Sequence, residues 1–325
     1  MTEAIRIDRF GGPEQLRLAT VPSGEPAPGQ VHIRQTHIGV NYIDIYFRTG
    51  LYPPASMPFT PGLEAAGEVV AVGDGVSGLT PGQRVAYVGG PPGAYATERV
   101  IAADRVVALP TTVSSGQAAA MMLKGLTAHM LLQRVCAVQS GDRVLIHAAA
   151  GGVGLLLCQW AHQLGATVIG TVGSPEKAEL ARANGCDHPI LYRDEDVAGR
   201  VHAITGGAGV RVAYDSVGAD TLAASLGCLA RRGLLVSFGQ SSGTPPAIAV
   251  GQLAAGGSLF LTRPSLFDYI GTAEELQSAA RALFAMVADD SVQVRIDSEW
   301  PLADAAGAHE RLESRQSTGS IILRA

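Results

Sequence analysis

The chain has 325 residues, of which 47% are hydrophobic and 16% charged, and 24 basic against 29 acidic side chains leave a net charge of −5. That is enough apolar material for two domains of ordinary size, and it excludes a disordered chain. It gives no electrostatic footprint for a nucleic-acid partner. No charge-free apolar run reaches the roughly 18 residues of a membrane span, and the N-terminus lacks a basic segment followed by an apolar one. Cys136, Cys158, Cys186 and Cys228 are scattered without a C-x-x-C pair. They read as reduced thiols of a cytoplasmic protein, not as a disulfide framework or metal site.

Residues 1–122 are expected to form a β-rich domain. Val31-His32-Ile33-Arg34 alternates as a half-buried strand does, Gly67 to Gly73 brackets a second strand, and Pro81-Gly82 opens a turn before a third at 84–88. Gly89-Gly90-Pro91-Pro92-Gly93 is a loop. From about 114 the pattern changes to helix, over 114–133. Strands at 143–147, 167–172, 189–191, 210–214 and 234–238 then alternate with helices at 153–164, 175–184, 194–205 and 219–230. Such alternation specifies a parallel sheet with helices on both faces, placed at 123–262. An amphipathic helix at 274–287 follows, with Leu276, Ala280, Leu283, Phe284 and Val287 on one stripe. A strand at 291–296, a helix at 303–313 and a strand at 320–323 end the chain. The segment 263–325 is too short to stand alone comfortably and is expected to return to the N-terminal domain.

The first strand of the alternating region runs into Ala148-Ala149-Ala150-Gly151-Gly152-Val153-Gly154. Gly151, Gly152, Val153 and Gly154 would set a diphosphate against a helix N-terminus, where N–H groups are unpaired and no side chain blocks approach. The fingerprint G-x-G-x-x-G has Ala149 in its first slot here. The second strand leads to Gly173-Ser174-Pro175-Glu176-Lys177. An NAD-specific fold places an acid at this strand end for the ribose hydroxyls. Here a small residue, an N-cap hydroxyl, a proline at the first helical position and a lysine one turn in suit a phosphate monoester, which favours NADP(H). Glu176 is a like charge nearby, and Tyr192 is placed to stack on the adenine or bond the phosphate. The strand ends Asp215-Ser216-Val217-Gly218 and Phe238-Gly239-Gln240 lie where open α/β sheets bind ligands, with Asp215 a holder of turn N–H groups.

No cysteine precedes Cys136, and His32, His37 and His129 do not form a ligand set, so no metal is expected. Without a Lewis acid, an already electrophilic acceptor such as a quinone or a conjugated enone suits the chain better than a simple ketone. A nucleophile elbow and a G-x-x-x-x-G-K-[ST] loop are both absent.

Many ordered motifs carry a family resemblance. They include Phe10-Gly11-Gly12-Pro13-Glu14, Gly39-Val40-Asn41-Tyr42-Ile43-Asp44, Arg48-Thr49-Gly50-Leu51-Tyr52-Pro53, Pro61-Gly62-Leu63-Glu64-Ala65-Ala66-Gly67 and Leu123-Lys124-Gly125-Leu126-Thr127-Ala128. The glycine loop, 170–177, Tyr214 to Gly218 and Thr262-Arg263-Pro264-Ser265 continue the series. The chain resembles the zinc-free, zeta-crystallin-like quinone oxidoreductases of the medium-chain dehydrogenase/reductase superfamily, over essentially its whole length. The resemblance implies a Rossmann-type doubly wound parallel sheet plus a β-rich GroES-like catalytic domain completed by the C-terminal tail. It implies NADPH as cofactor, a small-molecule quinone as acceptor, and a homodimer through strand 258–262. Asn41 and Leu63 stand where zinc-binding relatives carry Cys and His. By similarity Asn41, Tyr46, Thr127, Gly152, Val153, Gly173, Ser174, Lys177, Tyr192, Val217, Phe238, Arg263 and Arg315 would line the NADPH site. Asn41, Tyr46 and Tyr52 are the catalytic candidates: Asn41 near the nicotinamide ribose or carboxamide, the tyrosines as donors to a quinone oxygen. Met130 stands where relatives often carry an aromatic residue. Reduction of activated enones, or an NADPH-binding redox-sensing or RNA-binding role with weak turnover, are the alternatives.

Overall fold

The computed structural model describes residues 1–325. β1 (Thr2–Arg6) and β2 (Arg17–Val21) pair antiparallel. β3 (Gln30–Val40) is the longest strand, and its inward residues Val31, Ile33, Ile38 and Val40 are buried. It runs into a short helix, α1 (Tyr42–Thr49), followed by β4 (Glu64–Val72), β5 (Arg84–Val88), β6 (Glu98–Ala102) and β7 (Val106–Ala108). The helix α2 (Ser115–His129) continues as a wider-wound turn over Met130–Val135. The alternating stretch then comprises β8 (Arg143–Ile146), α3 (Gly152–Gln163), β9 (Thr167–Val172), α4 (Pro175–Ala183), β10 (His188–Leu191), α5 (Val197–Thr205), β11 (Val210–Asp215), α6 (Leu222–Gly227) and β12 (Leu229–Ser237). After it come α7 (Val250–Ala255), β13 (Phe260–Thr262), α8 (Leu266–Tyr269), α9 (Ala273–Ala288), β14 (Ile296–Pro301), α10 (Ala305–Glu313) and β15 (Ser320–Arg324).

These elements form two compact units. The first joins Met1–Leu126 to Ile270–Asp289 and Val294–Ala325, and the second joins Thr127–Tyr269 to Asp290–Gln293. The divisions fall inside α2 and after α8, a few residues beyond the expected 122/123 and 262/263. A change of sequence pattern marks where an element starts; α2 starts at Ser115 and its contacts change sides only at its last turn.

In the first unit the sheet order is β14-β15-β3-β4-β5-β7, with β6 also on β3. β15 pairs antiparallel with β3, Ile321 opposite Val40 and Leu323 opposite Ile38, so the C-terminal strand sits inside this sheet. Its core gathers Ile5, Ile33, Ile38, Val69, Val85, Tyr95, Ile321 and Leu323. In the second unit six strands run parallel in the order β10-β9-β8-β11-β12-β13. This is the Rossmann order, and its switch point lies between β8 and β11. The core there includes Leu145, Ile169, Ile190, Val201, Ala213 and Leu235.

Most expected elements form within a residue or three of their positions, and the stripe of α9 is buried as expected. Residues 291–296 do not make a strand; it begins at Ile296 and runs to Pro301. The Gln159 side chain accounts for this: its Oε1 accepts from Gln293 N–H (2.7 Å) and its Nε2 donates to Gln293 O (3.1 Å), which occupies the groups a ladder would need. The helix expected over 219–230 is confined to 222–227, because Leu229 already pairs with Val210 as the start of β12.

Candidate functional site

At the end of β8 the chain turns on Ala148 (φ 53°), whose carbonyl accepts from Gly151 N–H (2.9 Å). Gly151 is extended and caps α3, which begins at Gly152. A Cβ on Gly154 would collide with Ala148 O and the Ala149 backbone, so this turn is possible only with glycine there. Gly151, Gly152, Val153 and Gly154 therefore open a helix at the sheet's switch point, the arrangement that receives a diphosphate.

One strand further out, Ser174 is the extended N-cap of α4 and its hydroxyl oxygen accepts from Lys177 N–H (3.3 Å). The Ser174 hydroxyl in turn donates to Glu176, which holds that carboxyl below its usual range. Because Leu191 pairs with Val172, the next residue, Tyr192, is carried to Gly173: a Cβ on Gly173 would lie 3.1 Å from the tyrosine oxygen. Tyr192 is 42% exposed, and the Arg193 guanidinium stands 5.9 Å from its ring centroid. Gly173, Ser174, Lys177 and Tyr192 are thus gathered at one corner. Arg193 adds a cation that sequence reasoning missed; its neighbour Tyr192 was the available signal.

The ends of β11, β12 and β13 meet in the same unit. Asp215 Oδ1 accepts from Val217 N–H (2.9 Å), Gly218 N–H (3.0 Å) and Thr221 Oγ1 (2.8 Å), which makes the acid a turn holder. Its carbonyl accepts from Phe238 and Gly239 N–H, and a Cβ on Gly239 would lie 2.6 Å from Ser216 O. Arg263 Nη2 donates to Gln240 Oε1 (3.0 Å), bringing the guanidinium to the same edge as Val217, Phe238 and Gly239. Beneath them Ser225 Oγ donates to Asp215 Oδ2 (2.7 Å) and accepts from His147 Nε2 (2.9 Å), while Thr171 Oγ1 donates to His147 Nδ1 (2.9 Å). Burial lowers the His147 pKa and keeps the ring neutral. Thr127, on the last turn of α2, is buried, and Met130 beyond it is buried too.

The remaining candidates lie in the first unit, on and around α1. Asn41 is its extended N-cap and Gly50, left-handed at φ 82°, closes it. Asp44 Oδ2 accepts from Asn41 N–H (2.8 Å) and from Tyr95 Oη (3.1 Å). Tyr46 and Tyr52 meet edge to face at 5.2 Å, and Tyr52 N–H donates to Tyr46 O (3.0 Å). Arg315 (φ 58°) hydrogen-bonds Tyr42, the first residue of α1. Asn41 Nδ2 donates to Glu64 Oε1 (2.7 Å). Glu64 also accepts from Leu123 N–H at Oε2 (2.6 Å) and faces Lys124 Nζ (3.4 Å), itself bonded to Val40 O (3.2 Å). Glu64 and Lys124 belong to the motifs singled out above, yet neither was expected to touch a site residue. The signal was an acid opening an Ala/Gly strand and a lone lysine among Met, Leu and Ala.

Residues 27–111 match the alcohol dehydrogenase GroES-like domain, and 152–285 match the family described as zinc-binding dehydrogenase. The quinone oxidoreductase of Pseudomonas aeruginosa is 47% identical over 323 residues, 99% of either chain. The structure of Escherichia coli quinone oxidoreductase complexed with NADPH superposes with a TM-score of 0.98 at 47% identity, covering 99% of this chain and 100% of that one. A 2-haloacrylate reductase from a Burkholderia species is 44% identical over 329 residues, 99% of either chain.

A zinc ion does not fit the residues present. Asn41 and Leu63 offer an amide and an aliphatic chain, both Glu64 oxygens are taken by donors, and a resident ammonium lies 3.4 Å away. With full-length relatives, a shared two-unit architecture and the same order of motifs, the chain belongs to the quinone oxidoreductases of the medium-chain dehydrogenase/reductase superfamily.

Proposed function

We propose that the protein reduces quinones with NADPH. The observation that carries this reading is the corner at the ends of β9 and β10. No acid stands at Gly173 or Ser174, the α4 N-terminus is capped by a hydroxyl, and Lys177, Tyr192 and Arg193 surround it. A 2′-phosphate would find N–H groups and cations there and would take the Ser174 hydroxyl from Glu176, whereas an NAD ribose would lack a carboxylate at the strand end itself. The names of the full-length relatives support the acceptor class. The four cysteines are buried free thiols, which supports a cytoplasmic setting.

NADPH, when bound, would supply reducing equivalents at its nicotinamide C4. The chain's own contribution would be to bind and orient: Gly151 to Gly154 would receive the diphosphate, Val217, Phe238, Gly239 and Arg263 would line the strand ends, and Thr127 and, by the resemblance, Arg315 would add contacts. Tyr46 and Tyr52 are the hydroxyl donors assigned to the acceptor oxygen as charge builds on it. The first unit acts as the substrate domain and the second as the cofactor domain. NADPH oxidation is to be followed with a panel of quinones and an activated alkene, beside NADH. Turnover with no quinone would sink the reading; preference for the alkene would move the acceptor class. Lys177→Ala should raise KM for NADPH roughly tenfold, the loss of one charge-assisted contact, and leave KM for NADH nearly unchanged.

A homodimer through β13 is part of the same proposal. β13 is an edge strand whose Phe260 and Leu261 are 60% and 41% exposed, an apolar template for a second copy. Phe260→Lys should give monomers in sedimentation experiments; an unchanged oligomer would place the contact elsewhere.

A further inference from the structure

The buried pair Glu64–Lys124 touches one residue of the candidate site, Asn41, and its geometry decides which face of that amide a ligand meets. An ionised carboxylate only accepts hydrogen bonds, so it must face the amide's NH2 group. Glu64 meets three donors: Asn41 Nδ2 and Lys124 Nζ at Oε1, and Leu123 N–H at Oε2. A flipped Asn41 would set its carbonyl oxygen against the carboxylate and is excluded by repulsion. The Asn41 side chain makes no cap hydrogen bond to α1, so its oxygen is not taken up by the helix. Gly39 makes room for the arrangement: a Cβ there would overlap Glu64 Oε1 and Ala119 O.

We propose that Glu64 and Lys124 are positioning residues that lock the Asn41 amide with its carbonyl oxygen toward the ligand, so that the group bound there must be a hydroxyl or N–H donor. The inference rests on the proposed NADPH site, where the ribose hydroxyls and the carboxamide NH2 are donors of this kind. It assigns polarity to a contact that the amide alone leaves ambiguous.

Polarity reversal tests it. In Glu64→Gln/Lys124→Met, which also removes the ammonium that would oppose an NH2 at the Oε1 position, the new amide oxygen satisfies Leu123 N–H and its NH2 faces Asn41, whose amide must flip and offer a donor to the ligand. NADPH affinity, measured by cofactor fluorescence without any acceptor, should fall roughly 10- to 100-fold. Asn41→Asp alone sets two carboxylates together and should lose as much. In the double variant Asn41→Asp/Glu64→Gln, the glutamine NH2 donates to the new carboxylate, whose second oxygen again accepts from the ligand. Its affinity should return to within about threefold of the wild type, as expected for one conserved hydrogen bond. Should Glu64→Gln/Lys124→Met fail to fold by circular dichroism, the comparison is between Asn41→Asp/Glu64→Gln and Asn41→Asp. Unchanged affinity in Glu64→Gln/Lys124→Met, or an Asn41→Asp/Glu64→Gln variant no tighter than Asn41→Asp, overturns the inference while NADPH binding by the wild type upholds the site. A wild type that does not bind NADPH overturns both.

Discussion

The two units each carry a buried polar system under their candidate site, and the systems are built on different principles. In the second unit, Asp215, Ser225, His147 and Thr171 form a chain with a single carboxylate, and that carboxylate is spent on backbone N–H groups and hydroxyls. In the first unit, Glu64 and Lys124 meet as charges, and Arg48, His309, Tyr95 and Asp44 form a second line beside them. Arg48 Nη1 donates to His309 Nδ1 (3.1 Å), which sets the tautomer. His309 Nε2 then donates to Tyr95 Oη (3.0 Å), and the tyrosine donates to Asp44. The contrast follows from what is presented. A unit that offers backbone N–H groups and small residues needs its turns held in place, and one acid with several N–H donors does that. A unit that offers side chains must fix rotamers and amide faces, which takes charged partners of defined polarity.

The sharpest way to break the comparison is Lys124→Met. It leaves the Glu64 carboxylate buried without its counter-charge and should destabilise the first unit by about 3–5 kcal/mol in denaturant unfolding. A loss below about 1 kcal/mol would mean the pair is not a buried ion pair in energetic terms. In the second unit the buried Asp215 carboxylate is held by N–H groups and hydroxyls and not by a counter-charge. Gly154→Ala, which drives a methyl into Ala148 O, should cost about 1–3 kcal/mol by overpacking and also weaken NADPH binding, since the turn itself must move. Equal stability with unaltered binding would show that the turn is slack.

Smallest in the intact chain, because its two parts largely cancel, and specific to the first unit, is a pair of opposed titrations. Burial pushes Asp44 up to about 7 from 3.8, so the native chain keeps a proton that the unfolded chain has released, and stability falls as pH rises through that window. Burial, with Arg48 adjoining, pushes His309 down to about 3 from 6.5, so its contribution is present above pH 6.5 and lost as pH falls toward 3. Between about pH 4 and 6.5 the two slopes, each up to ~1.4 kcal/mol per pH unit, oppose one another. Asp44→Asn should unmask stability that rises with pH, and His309→Gln stability that falls with it. Parallel curves for both variants and the wild type would refute this.

The second unit was legible from β8 to β11, because its strands there are short apolar runs separated by helices with ordinary caps, and Ser174-Pro175 announces α4 outright, while α7 and α8, of six and four residues, were not expected. The first unit hid more. The helix α1 was not expected, although Asn41, Asp44 and Gly50 spell out a start and a stop; eight residues rich in Ile and Tyr give periodicity too little length. The strand placed at 291–296 failed because a glutamine 134 residues earlier takes its backbone groups, a contact no local pattern contains. The Lys124–Glu64 pair is likewise non-local, 60 residues apart in sequence. Residues that face a ligand through the backbone announce themselves by size; those held by a distant charge do not.

The strand β15 has a consequence in time. It lies between β14 and β3, with Ile321 opposite Val40, so the first unit's sheet stays open until a segment made after the entire second unit arrives. The second unit is drawn almost wholly from Thr127–Tyr269 and has its strands in hand long before. Synthesis from the N-terminus therefore leaves β3 with an unsatisfied edge while the Rossmann sheet closes, and non-local pairing of this kind is slow. The cofactor half of the enzyme can be finished before the sheet that leads into Asn41 is closed.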